Sequence, residues 1–133
     1  MTLFLWVIGI YNLLGAFLLI AMQRERVANV VLHTATRILT EPYTHGPSGR
    51  MWLWWAAIAQ IFIGGIMLLA TGWPMAVAQG VTAMVLVVYV GMHLVMLLGA
   101  KPPKYGSGIY VTHVLWILQE IWAVLVVTGV VGA

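Results

Sequence analysis

The chain has 133 residues, of which 63% are hydrophobic and 7% charged, with a formal net charge of +3. Soluble domains carry about a quarter charged residues, so the composition excludes an ordinary soluble protein and points to one all-α integral membrane domain over residues 1–133. The six Lys and Arg fall in two loops, which matches them to anionic lipid headgroups rather than nucleic acid, and the lack of cysteine excludes disulfides, thiolate catalysis and Cys-ligated metal.

Residues 2–22 form an apolar run long enough to cross roughly 30 Å of hydrocarbon at 1.5 Å per residue. A secretory signal peptide is the rival reading, but no basic residue precedes the run, and Arg24 and Arg26 directly follow it. Residues 24–40 have helical periodicity, with Val27, Val30, Val31, Thr34 and Ile38 on one face and Asn29, His33, Thr36 and Thr40 on another. The segment reads as an amphipathic interfacial helix or as a continuation of the first span. The Pro- and Gly-containing stretch 41–49 is a loop.

Residues 51–71 form the second span, entered through Trp52, Trp54 and Trp55, which suit the headgroup level. Gly72, Trp73 and Pro74 end it and turn the third span, 75–99, back beside it. A second basic loop with Lys101 and Lys104 leads to the fourth span, 109–131. The expected fold is a four-helix transmembrane bundle. Arg24, Arg26, Arg37, Arg50, Lys101 and Lys104 all occupy the first and third loops, so the positive-inside rule puts both termini outside, in an orientation suited to a bacterial inner membrane.

Each span carries a polar residue at one depth. Asn12, Gln60, Tyr89 and Glu120 all lie roughly 14 to 18 Å from the helix ends on the basic side. Small residues flank two of them, with Gly9 and Ala16 on the face of Asn12, and Ala56 and Gly64 on the face of Gln60. Such faces let helix backbones approach while the amide bonds across. His93 and His113 lie roughly 8 to 9 Å deep by the same count. Helical spacing puts Thr82, Leu86, Tyr89, His93 and Met96 on one stripe, and Tyr110, His113, Ile117 and Glu120 on another. Facing each other, the stripes make an interior polar column.

Glu120 is the one charged residue inside a span, and such residues mark function by default. It reads as a proton carrier or ligand-binding group, as a neutral acid bonded to Asn12, Gln60 or Tyr89 that joins helices, or as a contact to a partner. Gln119 points off its stripe toward a possible neighbouring subunit. His93 and His113 suit proton relay, interior hydrogen bonding or axial ligation of a haem b. With Met92 and Met96 they also offer soft ligands for copper, so no metal site is assigned. Arg37, Arg50, Lys101 and Lys104, with His33 and His45, converge on one membrane face, where an anion or lipid headgroup can bind. Trp116 and Trp122 sit within the fourth span as packing or lipid-facing groups.

The three carboxylates are all Glu, which excludes Ser-His-Asp triads and a di-iron carboxylate site, and neither GxxxxGK[ST] nor HExxH occurs. In size and in its single membrane glutamate, the chain resembles the small multidrug resistance transporters. It departs from them in carrying Glu120 on the fourth span rather than the first and in its long first loop, so no residue role carries over. The expected function is a membrane-embedded subunit of a homo-oligomer or larger, even redox, complex, binding a ligand or relaying protons through Glu120, His113, His93, Tyr89, Gln60 and Asn12. The alternatives are a proton-coupled transporter using Glu120 and a non-catalytic anchor.

Overall fold

The computed structural model describes residues 1–36, 47–99 and 107–130; within its helices, the side chains at 35–36, 47–49, 52, 95–99, 107–113 and 116 lie outside the description. The described residues form five helices and no strand. They are α1 (Thr2–Ala21), α2 (Glu25–Thr36), α3 (Pro47–Ala70), α4 (Met75–Gly99) and α5 (Ser107–Val127). Three stretches are long and apolar enough to cross a membrane: Thr2–Ala21, Leu53–Ala70 and Met75–Leu94.

The helix ends follow from local chemistry. Met22 closes α1 with αR geometry, and the next two amides bond back three residues, Gln23 N–H to Ile20 O and Arg24 N–H to Ala21 O, both at 3.1 Å. That tightened turn breaks the helix, so α2 is a separate element. The Arg24 carbonyl then accepts from Ala28 N–H at 3.0 Å, starting α2. Between α3 and α4, Gly72 and Trp73 bond back to Leu69 O and Ala70 O, and the Pro74 carbonyl accepts from Ala78 N–H. Pro74 has no N–H to lose at a helix start. At the end of α5, Gly129 has φ of 77°, the left-handed conformation that glycine takes without a Cβ penalty.

The closest helix pairs are α1 with α3 and α4 with α5. On α1 and α3, glycine sets the approach. A Cβ on Gly64 would stand 2.9 Å from the Gly9 carbonyl oxygen and 2.9 Å from Leu13 Cγ, and one on Gly9 would stand 2.8 Å from Leu68. The small faces around Asn12 and Gln60 therefore meet, with Gly9, Asn12, Ala16, Ala56, Gln60 and Gly64 all buried. Although a connection of only four residues joins α3 and α4, these helices touch less. Ile63, Met67, Leu86 and Tyr89 are buried together in the interior there.

Two apolar clusters make the core. One gathers Leu5 and Ile8 with Ile63, Met67, Ala78, Leu86, Ala123 and Val127 near one end of the bundle. The other joins Leu19, Met22, Leu53, Ala56 and Ala57 to Ala28 and Leu32 of α2 near the opposite end. Thus α2 is docked on protein through a face of Val27, Ala28, Val31 and Leu32. This buried face overlaps the apolar face read from sequence in Val27 and Val31, while Val30 is 66% exposed and Thr34 is exposed. Valine is as apolar toward lipid as toward protein, so composition does not choose between faces shifted by one residue. Residues 37–40 of the expected amphipathic segment lie outside the described residues.

Candidate functional site

Between the two clusters lies a polar level to which α1, α3, α4 and α5 each bring a side chain. Asn12, Gln60, Thr82, His93 and Glu120 are the buried polar residues of the described chain. Thr82 satisfies itself, its hydroxyl donating to Ala78 O at 2.6 Å within α4, as hydroxyls in apolar helices do. The α4 stripe of Thr82, Leu86, Tyr89 and His93 is buried along its length, as are Ile117 and Glu120 of the α5 stripe. These stripes face each other.

His93 Nδ1 and Glu120 Oε2 share a hydrogen bond of 3.1 Å across the α4–α5 contact. Either the ring donates to a carboxylate or the carboxylic acid donates to the ring, so one proton lies between two groups that can each hold it. Tyr89, one turn from His93, stacks edge-on against the imidazole with ring centroids 4.3 Å apart. Its hydroxyl accepts from Gln60 Nε2 at 3.2 Å, tying α3 to α4. The sequence count separated His93 from Glu120 by half the depth of a leaflet; in the structure they are bonded directly. Counting from helix ends ignores how far one helix slides along its neighbour.

Asn12 departs from expectation. Its Nδ2 donates to Ile8 O at 2.8 Å, within its own helix, instead of crossing to another span. Gly9, about one turn away, lies at the close approach of α1 and α3. Gln60 keeps one polar atom without a partner: Oε1 is buried and makes no hydrogen bond within the described residues. It lies beside Gly15, where an added Cβ would stand 3.4 Å away.

A small cavity opens at this level, with about 20 Å³ of space for water, lined by Ile8, Tyr11, Asn12, Gln60, Leu86, Tyr89, Gln119, Glu120 and Ala123. Tyr11 and Gln119 hold its rim, the Tyr11 hydroxyl donating to Gln119 Oε1 at 3.0 Å on an exposed part of the surface. Sequence reading passed over Tyr11. Its position next to Asn12, at the depth of the other polar groups, is the signal that would have found it.

The other expected residues are scattered. Arg50 is exposed, and its carbonyl accepts from Gln23 Nε2 at 3.3 Å; Arg24, Arg26 and His33 are exposed at the same end. Arg37, His45, Lys101 and Lys104 lie outside the described residues, so their convergence with Arg50 is not described. The side chains of His113, Met96, Trp52 and Trp116 are likewise outside. Met92 is 52% exposed while neighbouring His93 is buried, which separates the thioether from the imidazole that copper would need. No group of three His, Cys, Asp or Glu converges among the described residues. Trp54 and Trp55 are exposed, and Trp122 packs edge-on against Phe4 with centroids 5.7 Å apart. The chain matches no family model, no curated protein and no solved structure.

Proposed function

We propose that the chain is a small membrane-embedded subunit that relays protons through the pair His93–Glu120, spanning a bacterial inner membrane four times with both termini outside. The observation that carries the reading is the 3.1 Å hydrogen bond joining two buried groups that exchange protons in ordinary chemistry. For the fourth span the support is α5 itself, whose 21 residues rise roughly 31 Å at 1.5 Å each. For the orientation, the support is that all six Lys and Arg fall in the first and third loops of the sequence and none in the second.

Tyr89 and Gln60 extend the polar path from α4 to α3, and His113, seven residues before Glu120 on the same helix face, continues it toward the basic end. Asn12 lines the adjoining cavity. Tyr11 and Gln119 put an exposed polar pair on the membrane-facing side, which suits a homo-oligomer or another membrane subunit as neighbour.

Proton flux into liposomes containing the purified protein, under an imposed potential, tests the relay. Wild type is expected to conduct, and Glu120→Gln, which keeps a hydrogen-bonding side chain of the same shape, to lose the flux while keeping its fold. Equal flux from both proteins would reject the relay. If neither conducts and Glu120→Gln is less stable, the His93–Glu120 bond is a joint between α4 and α5, the reading of a non-catalytic anchor.

A further inference from the structure

We propose that the cavity beside Glu120 is a binding site for a single water molecule, which links Gln60 and Tyr89 to the His93–Glu120 pair. The inference deepens the relay reading and rests on it for the role of the water, though not for its presence.

Size comes first. The cavity has about 20 Å³ of space for water. One water needs roughly 10–15 Å³ by this measure, whereas pockets for organic ligands run to several hundred. The space suits one water and excludes a drug-sized or lipid-sized guest.

Polarity comes second, since apolar cavities of this size stay dry and water needs two to four polar partners. Gln60 is 97% buried by its 3% exposure, and its Oε1 makes no hydrogen bond within the described residues. Turning the amide over does not remove the deficit, because the end beside Gly15 then carries Nε2 in place of Oε1. Tyr89 uses its oxygen to accept from Gln60, which leaves its own O–H to donate. Glu120 bonds His93 through Oε2, and its other oxygen, Oε1, is a second acceptor. Gln60, Tyr89 and Glu120, which all line the cavity, thus hold two acceptors and one donor between them, the complement of a molecule with two O–H groups and a lone pair. A hard divalent cation would want six or more oxygens and several negative charges, and the only carboxylate here is already shared with His93.

The water would complete a hydrogen-bonded chain from α3 through α4 to α5, and Ala123 closes one side of it. At 2% exposure, Ala123 presents only a methyl group to the cavity.

Magic-angle-spinning NMR of the protein in lipid bilayers, with magnetisation transferred from water protons, reads this directly. Wild type is expected to show transfer to the Gln60 side-chain amide at mid-membrane depth. Ala123→Leu, which fills the cavity, is expected to lose that transfer, with the signals of α1 and α3 unmoved. Should Ala123→Leu not fold, Gln60→Met serves, and the transfer to the Tyr89 hydroxyl is then expected to fall. Transfer to Gln60 no greater than to the lipid-facing Leu69 methyls would overturn the proposal. So would transfer that appears only with sodium present and vanishes in potassium, which would make the ligand an ion. Water transfer without proton flux leaves the water site standing and the relay rejected, so the two readings fail separately.

Discussion

Glu120 owes its place to what surrounds it. A carboxyl group inside an apolar helix carries a desolvation cost that is tolerated when a partner shares its proton, and the imidazole of His93 at 3.1 Å is that partner. Removing Glu120 outright with Glu120→Ala is expected to lower unfolding stability by roughly 3–5 kcal/mol, the cost of breaking a buried pair, whereas Glu120→Gln costs clearly less. Denaturation in mixed micelles checks the order of the two variants. Gly64 is the second residue on which the site depends. Gly64→Ala puts a Cβ 2.9 Å from a backbone oxygen of Gly9, so α1 and α3 must part; the expected loss is about 1–3 kcal/mol. Gly65→Ala, with nothing within 4 Å of its Cβ, is the control and is expected to be neutral. Equal losses at the two positions would show that α1 and α3 do not meet there.

At the scale of elements, α2 is where the structure adds most to the sequence. Its helix was legible from periodicity, and the break before it follows from the turn at Met22 to Arg24. Its docking was not legible, because Val30 and Val31 are chemically alike and only packing tells that Ala28 and Leu32 face the bundle. Leu32→Ala is accordingly expected to cost roughly 2–5 kcal/mol and Val30→Ala nearly nothing, which thermal unfolding of the two variants checks. The opposite ranking would mean that α2 lies with Val30 inward. The small faces of α1 and α3 and the stripe Thr82, Leu86, Tyr89 and His93 were readable in advance, since helical spacing alone puts those residues on one side. The partner of Asn12 was not, because an amide can bond its own helix or its neighbour equally well and local backbone approach decides.

Among the described residues, Asn12, Gln60, Tyr89, His93 and Glu120 lie in a polar level between two apolar clusters, and Arg24, Arg26 and Arg50 are exposed at one end. The proposed topology puts Gly72 outside and the loops holding Arg24 and Lys101 inside. Reporter fusions at these positions are expected to report opposite sides of the membrane; a cytoplasmic Gly72 would invert the arrangement. Depth counting found the polar level but not which residues bond, because the count fixes height within a helix and leaves the sliding of helices free. The composition also makes the relay directly observable. With three side-chain carboxyl groups in the chain, Glu25, Glu41 and Glu120, the carboxyl region of the infrared spectrum is sparse. The most direct measurement is difference infrared spectroscopy of the protein in bilayers as a proton gradient is imposed and released. Proton relay through Glu120 predicts a carboxyl band that rises and falls with the gradient and is missing in Glu120→Gln; a spectrum in which that band never changes, in a protein otherwise folded, would contradict it.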